Sequence, residues 1–245
     1  MFEGRKDLSV YAGAARDRPR TEGDGPSIRV NCVIAGTQKG GTTALASYLY
    51  EHPQVCIPGT KEMHFFDAEE NFAADRIDFA HYHSAFAPAP AARIVCDATP
   101  IYMYWDPPPR RIWEYNPAMK WIFVLRDPLT RAFSHWNMQR IKGRDPLPFF
   151  DALASEVTRC RTVLPLQHPW WSYIDRGLYA QQLRRVMRFF PASQLLVLKS
   201  EDVQRAPRIA LEQVARFLGL DPFAAVEPRD VYGIPYSQGM KARAR

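Results

Sequence analysis

Cysteine is scarce in this chain of 245 residues, and no two cysteines have the Cys-x-x-Cys spacing of a redox or zinc motif. The four are Cys32, Cys56, Cys96 and Cys160, and three of them lie in apolar runs. Such a pattern is typical of buried free thiols, so we expect neither a disulfide framework nor a metal site. Free thiols in turn favour a reducing compartment.

Long apolar runs are also missing. The longest, such as Trp121–Leu125, are far shorter than the roughly 20 residues that a transmembrane helix needs. The N-terminus has no apolar core of the kind that defines a signal peptide. We therefore expect a cytoplasmic protein without a transmembrane segment. Residues 1–27 are polar and interrupted by glycine and proline, which predicts a flexible leader before a single domain at 28–245.

Acidic side chains are outnumbered, because 32 Lys and Arg stand against 26 Asp and Glu, a net charge of +6. The excess is local: Arg126–Arg144 holds five basic residues and one acid. Local positive charge is typical of an anion site or of a solvated helix face, and a small excess does not indicate nucleic acid. His81 and His83 form an isolated pair without nearby acidic or cysteine partners, so no metal is predicted there.

Short β-branched runs alternate with helical patterns along the chain. The predicted strands are Ile28–Ala35, Arg93–Cys96, Lys120–Leu125 and Gln194–Leu198, and the predicted helices are Thr42–Glu51, Ala132–Lys142, Leu178–Phe190 and Pro207–Leu218. Strands that are apolar throughout are typical of a parallel sheet with both faces covered. The sequence therefore predicts a single α/β domain, with a central, mostly parallel sheet flanked by helices.

A glycine-rich loop, Gly36-Thr37-Gln38-Lys39-Gly40-Gly41, separates the first predicted strand from the first predicted helix. In this context backbone N–H groups and the helix N-terminus converge on an anion. Lys39 adds a full charge, and Thr42 and Thr43 add hydroxyl donors, so we predict a P-loop-like phosphate-binding loop. It is not a Walker A motif, because Thr42 stands where that motif has its lysine.

A second candidate anion site follows the strand Lys120–Leu125. Arg126 comes directly after the strand, at the edge of a parallel sheet where ligands bind. Ser134 lies eight residues further on, where a helix starting near Pro128 would aim it back toward the strand ends. A guanidinium and a hydroxyl suit a second phosphate. An equally good interpretation is that Arg126 forms a structural pair with Asp127 and that Ser134 is an ordinary helix residue.

These segments together resemble the sulfotransferases that use 3′-phosphoadenosine 5′-phosphosulfate (PAPS), in particular the heparan-sulfate-type branch and its bacterial small-molecule relatives. Residues 37–45 resemble that family's 5′-phosphosulfate loop, and residues 125–134 resemble its 3′-phosphate element. Two further blocks resemble segments of the same branch: Lys-Glu-Met-His-Phe-Phe-Asp at 61–67 and Gly-Leu-Tyr-Ala-Gln-Gln-Leu at 177–183. All four occur in the family's order.

The resemblance implies transfer of a sulfuryl group from PAPS to an acceptor hydroxyl, less readily an amine, with release of PAP. The nucleotide would be held by Gln38, Lys39, Gly40, Gly41, Thr42, Thr43, Arg126 and Ser134. Lys39 would stabilise the leaving phosphate, and the family's catalytic carboxylate falls on Glu62. His64 is a chemically sensible rival base, although an orienting role suits it better. If residues 61–65 are extended, Glu62 and His64 point to the same side.

The acceptor is expected to be a small molecule, a lipid or a glycan, bound in an aromatic pocket. The candidate lining residues are Phe65, Phe66, Tyr102, Tyr104, Trp105, Trp170, Trp171 and Tyr173, most of which would equally fill gaps in the core. Ala98 stands where heparan-acting relatives often have a lysine, which counts against a glycosaminoglycan acceptor. His135 is expected on a helix surface.

Two alternatives remain open at this stage, a P-loop nucleotide kinase and a nucleotide-binding module without catalysis. The family usually extends some tens of residues further, so a C-terminal loop that helps cover the nucleotide is expected to be incomplete.

Overall fold

The protein is described by a computed structural model that covers residues 29–59, 62–73, 76–163, 167–224 and 226–227. The predicted leader at 1–27 and the end of the chain from residue 228 lie outside these described residues. Within the described part of the chain, no helix is both long and apolar enough to cross a membrane. All four cysteines are free thiols, and Cys32, Cys56 and Cys96 are buried as predicted.

A five-stranded sheet organises the described residues. Its strands are β1 (Cys32–Gly36), β2 (Val55–Cys56), β3 (Ile94–Asp97), β4 (Lys120–Leu125) and β5 (Leu195–Lys199). Every pairing is parallel, and the strand order is β2-β3-β1-β4-β5. The predicted α/β fold is confirmed. The two-residue strand β2 was not predicted, because a run so short has no readable pattern.

Ten α-helices surround this sheet in the described residues. They are α1 (Thr42–Tyr50), α2 (Glu70–Ala73), α3 (Phe79–Ser84), α4 (Pro108–Tyr115), α5 (Pro128–Ile141), α6 (Phe149–Ala154), α7 (Glu156–Cys160), α8 (Tyr179–Val186), α9 (Ser200–Arg205) and α10 (Pro207–Leu218). Helix α10 has its predicted bounds and ends at Gly219, whose φ of 72° is easy only for glycine.

Helix α5 begins at Pro128, as expected for the placement of Ser134 and four residues before the helical pattern at Ala132–Lys142, because its start is capped. The Asp127 carboxylate accepts a hydrogen bond of 2.9 Å from the Thr130 N–H, and Pro128 occupies the first helical turn. This early start brings the first turn of α5 directly after β4. Ser134 consequently lies on the buried side of α5 and is only 6% exposed.

The two faces of the sheet bury separate hydrophobic clusters. Alternate residues of β4 show this: Ile122 and Val124 pack with α1 and α10, whereas Trp121 and Phe123 pack with an aromatic cluster on the other side. All four side chains are 0% exposed. Burial of each such side chain contributes about 1.5–3 kcal/mol, so the sheet is a rigid base for the segments that leave its carboxyl edge.

Candidate functional site

The glycine-rich loop at 37–41 lies between β1 and α1, as predicted, and is fastened to the neighbouring strand. The Thr37 N–H donates to the Val124 carbonyl of β4 at 3.0 Å, and the Gly40 N–H donates to the Thr37 carbonyl at 2.8 Å. Lys39 and Gly41 have left-handed φ angles of 69° and 103°. The chain therefore turns tightly enough to present the N-terminus of α1, whose first N–H groups have no partner within the helix.

Gly40 is required by the space around it. A Cβ at this position would lie 2.2 Å from the Val124 carbonyl oxygen and 2.8 Å from the Thr37 methyl group. Any side chain here would push the loop off β4. This explains why the loop has glycine at this point, apart from any contact with a ligand.

Arg126 lies at the end of β4 and reaches the same loop. Its Nη1 approaches the Lys39 carbonyl at 3.5 Å, and its own carbonyl accepts a hydrogen bond of 2.8 Å from the Tyr179 hydroxyl. The structure thus places the two predicted anion-binding elements side by side at the carboxyl edge of the sheet. Gly177, at the start of the fourth resemblance block, packs closely against Pro128, since a Cβ there would be 3.2 Å from the proline Cβ.

Gln38 links the loop to a buried arginine that the sequence reasoning missed. Its Oε1 accepts a hydrogen bond of 2.6 Å from Nη1 of Arg176, which is only 1% exposed. Arg176 also donates to the Ser172 hydroxyl and the Pro169 carbonyl, both at 2.8 Å. Burial lowers the pKa of Arg176 to about 10, so the guanidinium stays charged at neutral pH. The signal in the sequence that could have identified Arg176 is its position directly before the segment Gly-Leu-Tyr-Ala-Gln-Gln-Leu at 177–183.

Glu62, His64 and Asp67 form a cluster beside the loop. His64 Nδ1 lies 2.8 Å from Asp67 Oδ2, and His64 Nε2 lies 3.5 Å from Glu62 Oε2. Hydrogen bonds to Asp67 and then to Glu62 raise the pKa of His64 to about 10. Both ring nitrogens of His64 lie near carboxylate oxygens, so the geometry favours an orienting role for His64. Asp67 was quoted within its motif but was not predicted as a site residue.

The backbone of this segment differs from the extended form considered above. Glu62 has a φ of 63° and His64 a φ of 50°, both in the left-handed region, and Lys61 lies outside the described residues. The two side chains nevertheless meet, because the left-handed turns bring them together around Asp67. The predicted proximity of the Glu62 and His64 side chains is therefore correct, but the extended backbone that was expected to produce it is not present.

A cleft of about 290 Å³ lies between Gln38 of the loop, Arg176 and the Glu62–His64–Asp67 cluster. It is lined by Gln38, Glu62, His64, Asp67, Pro100, Ile101, Trp105, Met138, Gln139, Lys142, Arg144, Pro169, Trp170 and Arg176. Most of these side chains are polar or charged, whereas the sequence predicts an aromatic acceptor pocket. Of the predicted aromatic residues only Trp105 and Trp170 line it, whereas Phe65, Phe66, Tyr102 and Tyr173 are buried in the core.

The histidines outside this cluster have other roles. His135 is 0% exposed and its Nε2 lies 3.2 Å from the Gln139 amide nitrogen, so the expected surface position is wrong. Burial, with Arg176 and Arg131 nearby, lowers the pKa of His135 well below its usual value. His83 bonds the Tyr115 hydroxyl at 2.8 Å. Among the described residues no group of three or more metal-ligating side chains could hold an ion.

Comparison with known proteins gives consistent results. A family model described as "Sulfotransferase domain" matches residues 30–229. Heparan sulfate glucosamine 3-O-sulfotransferase 6 of Homo sapiens is 35% identical over 212 residues, which are 86% of this chain and 58% of that protein. Heparan sulfate glucosamine 3-O-sulfotransferase 3B1 of Mus musculus is 33% identical over 227 residues, 88% of this chain and 55% of that protein.

A solved structure extends the similarity to the whole fold. The sulfotransferase from Alicyclobacillus acidocaldarius is 30% identical, with a TM-score of 0.72 over 85% of this chain and 87% of that one. The present chain spans a little over half the length of the two mammalian relatives. The matched region contains the phosphate loop, Arg126 and the Glu62–His64–Asp67 cluster, and the chain belongs to the sulfotransferase family.

Proposed function

We propose that this chain transfers a sulfuryl group from PAPS to an acceptor hydroxyl and releases PAP. The observation that carries the proposal is the proximity of two candidate anion-binding elements at one edge of the sheet, with Arg126 Nη1 3.5 Å from the Lys39 carbonyl. Gln38, in the same loop as Lys39, lines the cleft together with Glu62. A 3′,5′-bisphosphate nucleotide has two anionic ends, and these two sites match that charge pattern.

The residues of the loop suit a 5′-phosphate. Gly40 lets the loop pack against β4, and α1 offers the N–H groups of its first turn with the hydroxyls of Thr42 and Thr43. The Gln38 oxygen is taken by Arg176, so its amide N–H groups are the donors that it can offer a phosphate. Arg126 and Ser134 would hold the 3′-phosphate, with a guanidinium and a hydroxyl as donors.

The chemistry at this site needs little beyond positioning and neutralisation of charge, as in phosphoryl transfer. Bound PAPS supplies an activated sulfuryl group on its 5′-phosphate. Lys39 stabilises the negative charge that develops on that phosphate in an in-line displacement. Glu62 removes the proton from the acceptor hydroxyl, while His64, protonated and bonded to Asp67, fixes the direction of the Glu62 carboxylate.

The walls of the cleft favour a polar acceptor that carries negative charge. Lys142, Arg144 and Arg176 line the cleft together with the Glu62 cluster, and Arg144 lies 4.9 Å above the Trp170 ring. Cations beside an accessible ring suit an acidic sugar, and the mammalian relatives are named for heparan sulfate glucosamine. Ala98 is 2% exposed and contributes no charge, which counts against a glycosaminoglycan unless Lys142, Arg144 and Arg176 supply the charge that relatives often carry on a lysine at that position. Little in such a cleft suits a lipid.

The test is sulfuryl transfer from sulfur-labelled PAPS, screened over acidic glycans, neutral glycans and small phenols. We expect label on an acidic glycan, and Glu62→Gln should lower kcat by at least about 100-fold, the lower range for loss of a general base. Glu114→Gln, on the exposed side of α4, is the matched control and should behave as wild type.

Transfer that is unchanged in Glu62→Gln would remove Glu62 from the role of base. Wild-type protein that transfers no label to any acceptor would instead favour the nucleotide-binding module. Phosphoryl transfer from ATP would favour the kinase.

A further inference from the structure

The segment that carries the proposed base, residues 62–67, is held in an unfavourable backbone conformation. Glu62 and His64 are both left-handed, which costs a residue other than glycine about 1–3 kcal/mol. Such a conformation persists only where the surroundings hold it. The rings of Phe65 and Phe66 anchor the middle of the segment in the core, where they are 5% and 0% exposed.

The side chain of Tyr102 binds the backbone of residues 62–67. The Tyr102 hydroxyl oxygen accepts hydrogen bonds from the Phe65 N–H at 3.1 Å and the Phe66 N–H at 3.4 Å. Tyr102 is 0% exposed, so no water competes for these two donors. A phenol oxygen can accept two such bonds only when its own proton points elsewhere.

That proton points to Asp97, at the carboxyl end of β3. The Tyr102 hydroxyl donates to Asp97 Oδ2 at 2.8 Å, and Tyr82 donates to the same oxygen at 2.9 Å. Thr99 donates to Oδ1 at 2.6 Å. Burial raises the pKa of Asp97, and these three hydroxyl donors oppose the rise by solvating the ionised form. The carboxylate therefore fixes the orientation of the tyrosine, and the tyrosine fixes the 62–67 backbone.

We propose that Tyr102, oriented by Asp97, is a positioning residue that holds Glu62 and His64 in place for proton removal. Its hydroxyl bonds the 62–67 backbone and Asp97, so its effect falls on turnover and not on nucleotide binding. The proposal rests on the proposed function, since positioning matters for activity only if Glu62 is the base. The anchoring itself is independent of that role and can be measured without turnover.

Tyr102→Phe removes the hydroxyl and keeps the ring, which packs at 5.7 Å from the Phe66 ring. Tyr82→Phe is a matched control. It removes a hydroxyl from the same Asp97 oxygen, in a side chain that is 1% exposed and stacks at 4.4 Å on the Phe65 ring. The Tyr82 hydroxyl donates to Asp97 and not to the 62–67 backbone. Both variants lose one hydrogen bond to Asp97, whereas only Tyr102→Phe also removes the acceptor of the Phe65 and Phe66 N–H groups.

The experiment compares the two variants in three measurements: kcat for sulfuryl transfer, PAP affinity by calorimetry, and amide hydrogen exchange of the peptide spanning residues 62–67. For Tyr102→Phe we expect kcat to fall by about 5- to 30-fold, the value of one or two lost hydrogen bonds, with PAP affinity unchanged. Exchange in the peptide should become faster. Tyr82→Phe should retain wild-type kcat and exchange.

Equal losses of kcat in both variants, or an unchanged kcat in Tyr102→Phe, would overturn the positioning role. Unchanged exchange at residues 62–67 in Tyr102→Phe would overturn the anchoring, whatever the activity. Absence of transfer by the wild-type chain would count against the proposed function, and the exchange measurement would still decide whether Tyr102 holds the segment.

Discussion

Replacement of Gly40 by alanine gives a sharp test of the phosphate loop. The new Cβ would lie 2.2 Å from the Val124 carbonyl oxygen, whereas Cβ atoms essentially never approach another heavy atom closer than 3.0 Å. The carbonyl belongs to β4, an inner strand of the sheet that pairs on both sides, with β1 and with β5, and cannot yield easily. The loop must therefore move away from the strand by about 0.8 Å or more.

A displacement of about 1 Å at a reacting centre can cost on the order of 100-fold in rate. We expect a loss of this order in PAP affinity and in kcat for Gly40→Ala, because the N–H donors and Lys39 move together with the loop. Calorimetry with PAP measures the first quantity, and labelled transfer measures the second. Circular dichroism would verify that the sheet and helices remain.

Gly219→Ala is the matched control. Gly219, at the end of α10, is left-handed with a φ of 72°, and a Cβ added there would meet no other described atom within 4 Å. The substitution should cost about 1–2 kcal/mol from the backbone alone, lower Tm by a few degrees, and leave PAP affinity unchanged. Wild-type PAP affinity in Gly40→Ala would contradict the proposed role of the loop, because it would mean that the loop does not bind the nucleotide.

Two further predictions concern charge. Asp67→Asn should lower the pKa of His64 from about 10 toward its ordinary 6.5, measured by NMR titration of the imidazole. Because the pKa of His64 is raised in the folded state, protonation of His64 contributes its full stabilisation of the fold below pH 6.5, and this contribution is lost as pH rises through about 10. A titration curve of His64 that is unchanged in Asp67→Asn would contradict this prediction. Arg126→Gln should weaken the binding of PAP more than the binding of 5′-AMP. Arg140→Gln, an exposed change on the same helix as Ser134, should affect the binding of neither nucleotide. Equal weakening of both nucleotides would remove Arg126 from the 3′-phosphate site.

Local patterns in the sequence were sufficient for much of the fold. The apolar run of β4 and the proline and glycine that bracket α10 led to their actual bounds, because each signal is contained in the element itself. The position of the glycine-rich loop between β1 and α1 was predicted for the same reason. The helical pattern at Ala132–Lys142 covers only part of α5, since the capping bond of Asp127 depends on how the chain leaves β4.

The site was only partly predictable, because several of its residues act through tertiary contacts. Arg176 reaches Gln38 across 138 positions of the chain, and Tyr102 reaches the Phe65 N–H across 37. His135 was expected on a helix surface, yet it is 0% exposed because α5 is packed on several sides. The left-handed turns at Glu62 and His64 are likewise imposed by the packing around them and leave no mark in residue type.

The proposed site binds a nucleotide by two phosphates, one at the 5′ end and one at the 3′ end. Calorimetric titration of the wild-type protein with PAP, 5′-AMP and ATP tests this binding mode without knowledge of the acceptor. We expect PAP to bind more tightly than 5′-AMP and ATP by at least about 10-fold, a difference of roughly 1.4 kcal/mol from the charge-assisted bonds to the 3′-phosphate. ATP binding as tight as that of PAP would contradict it.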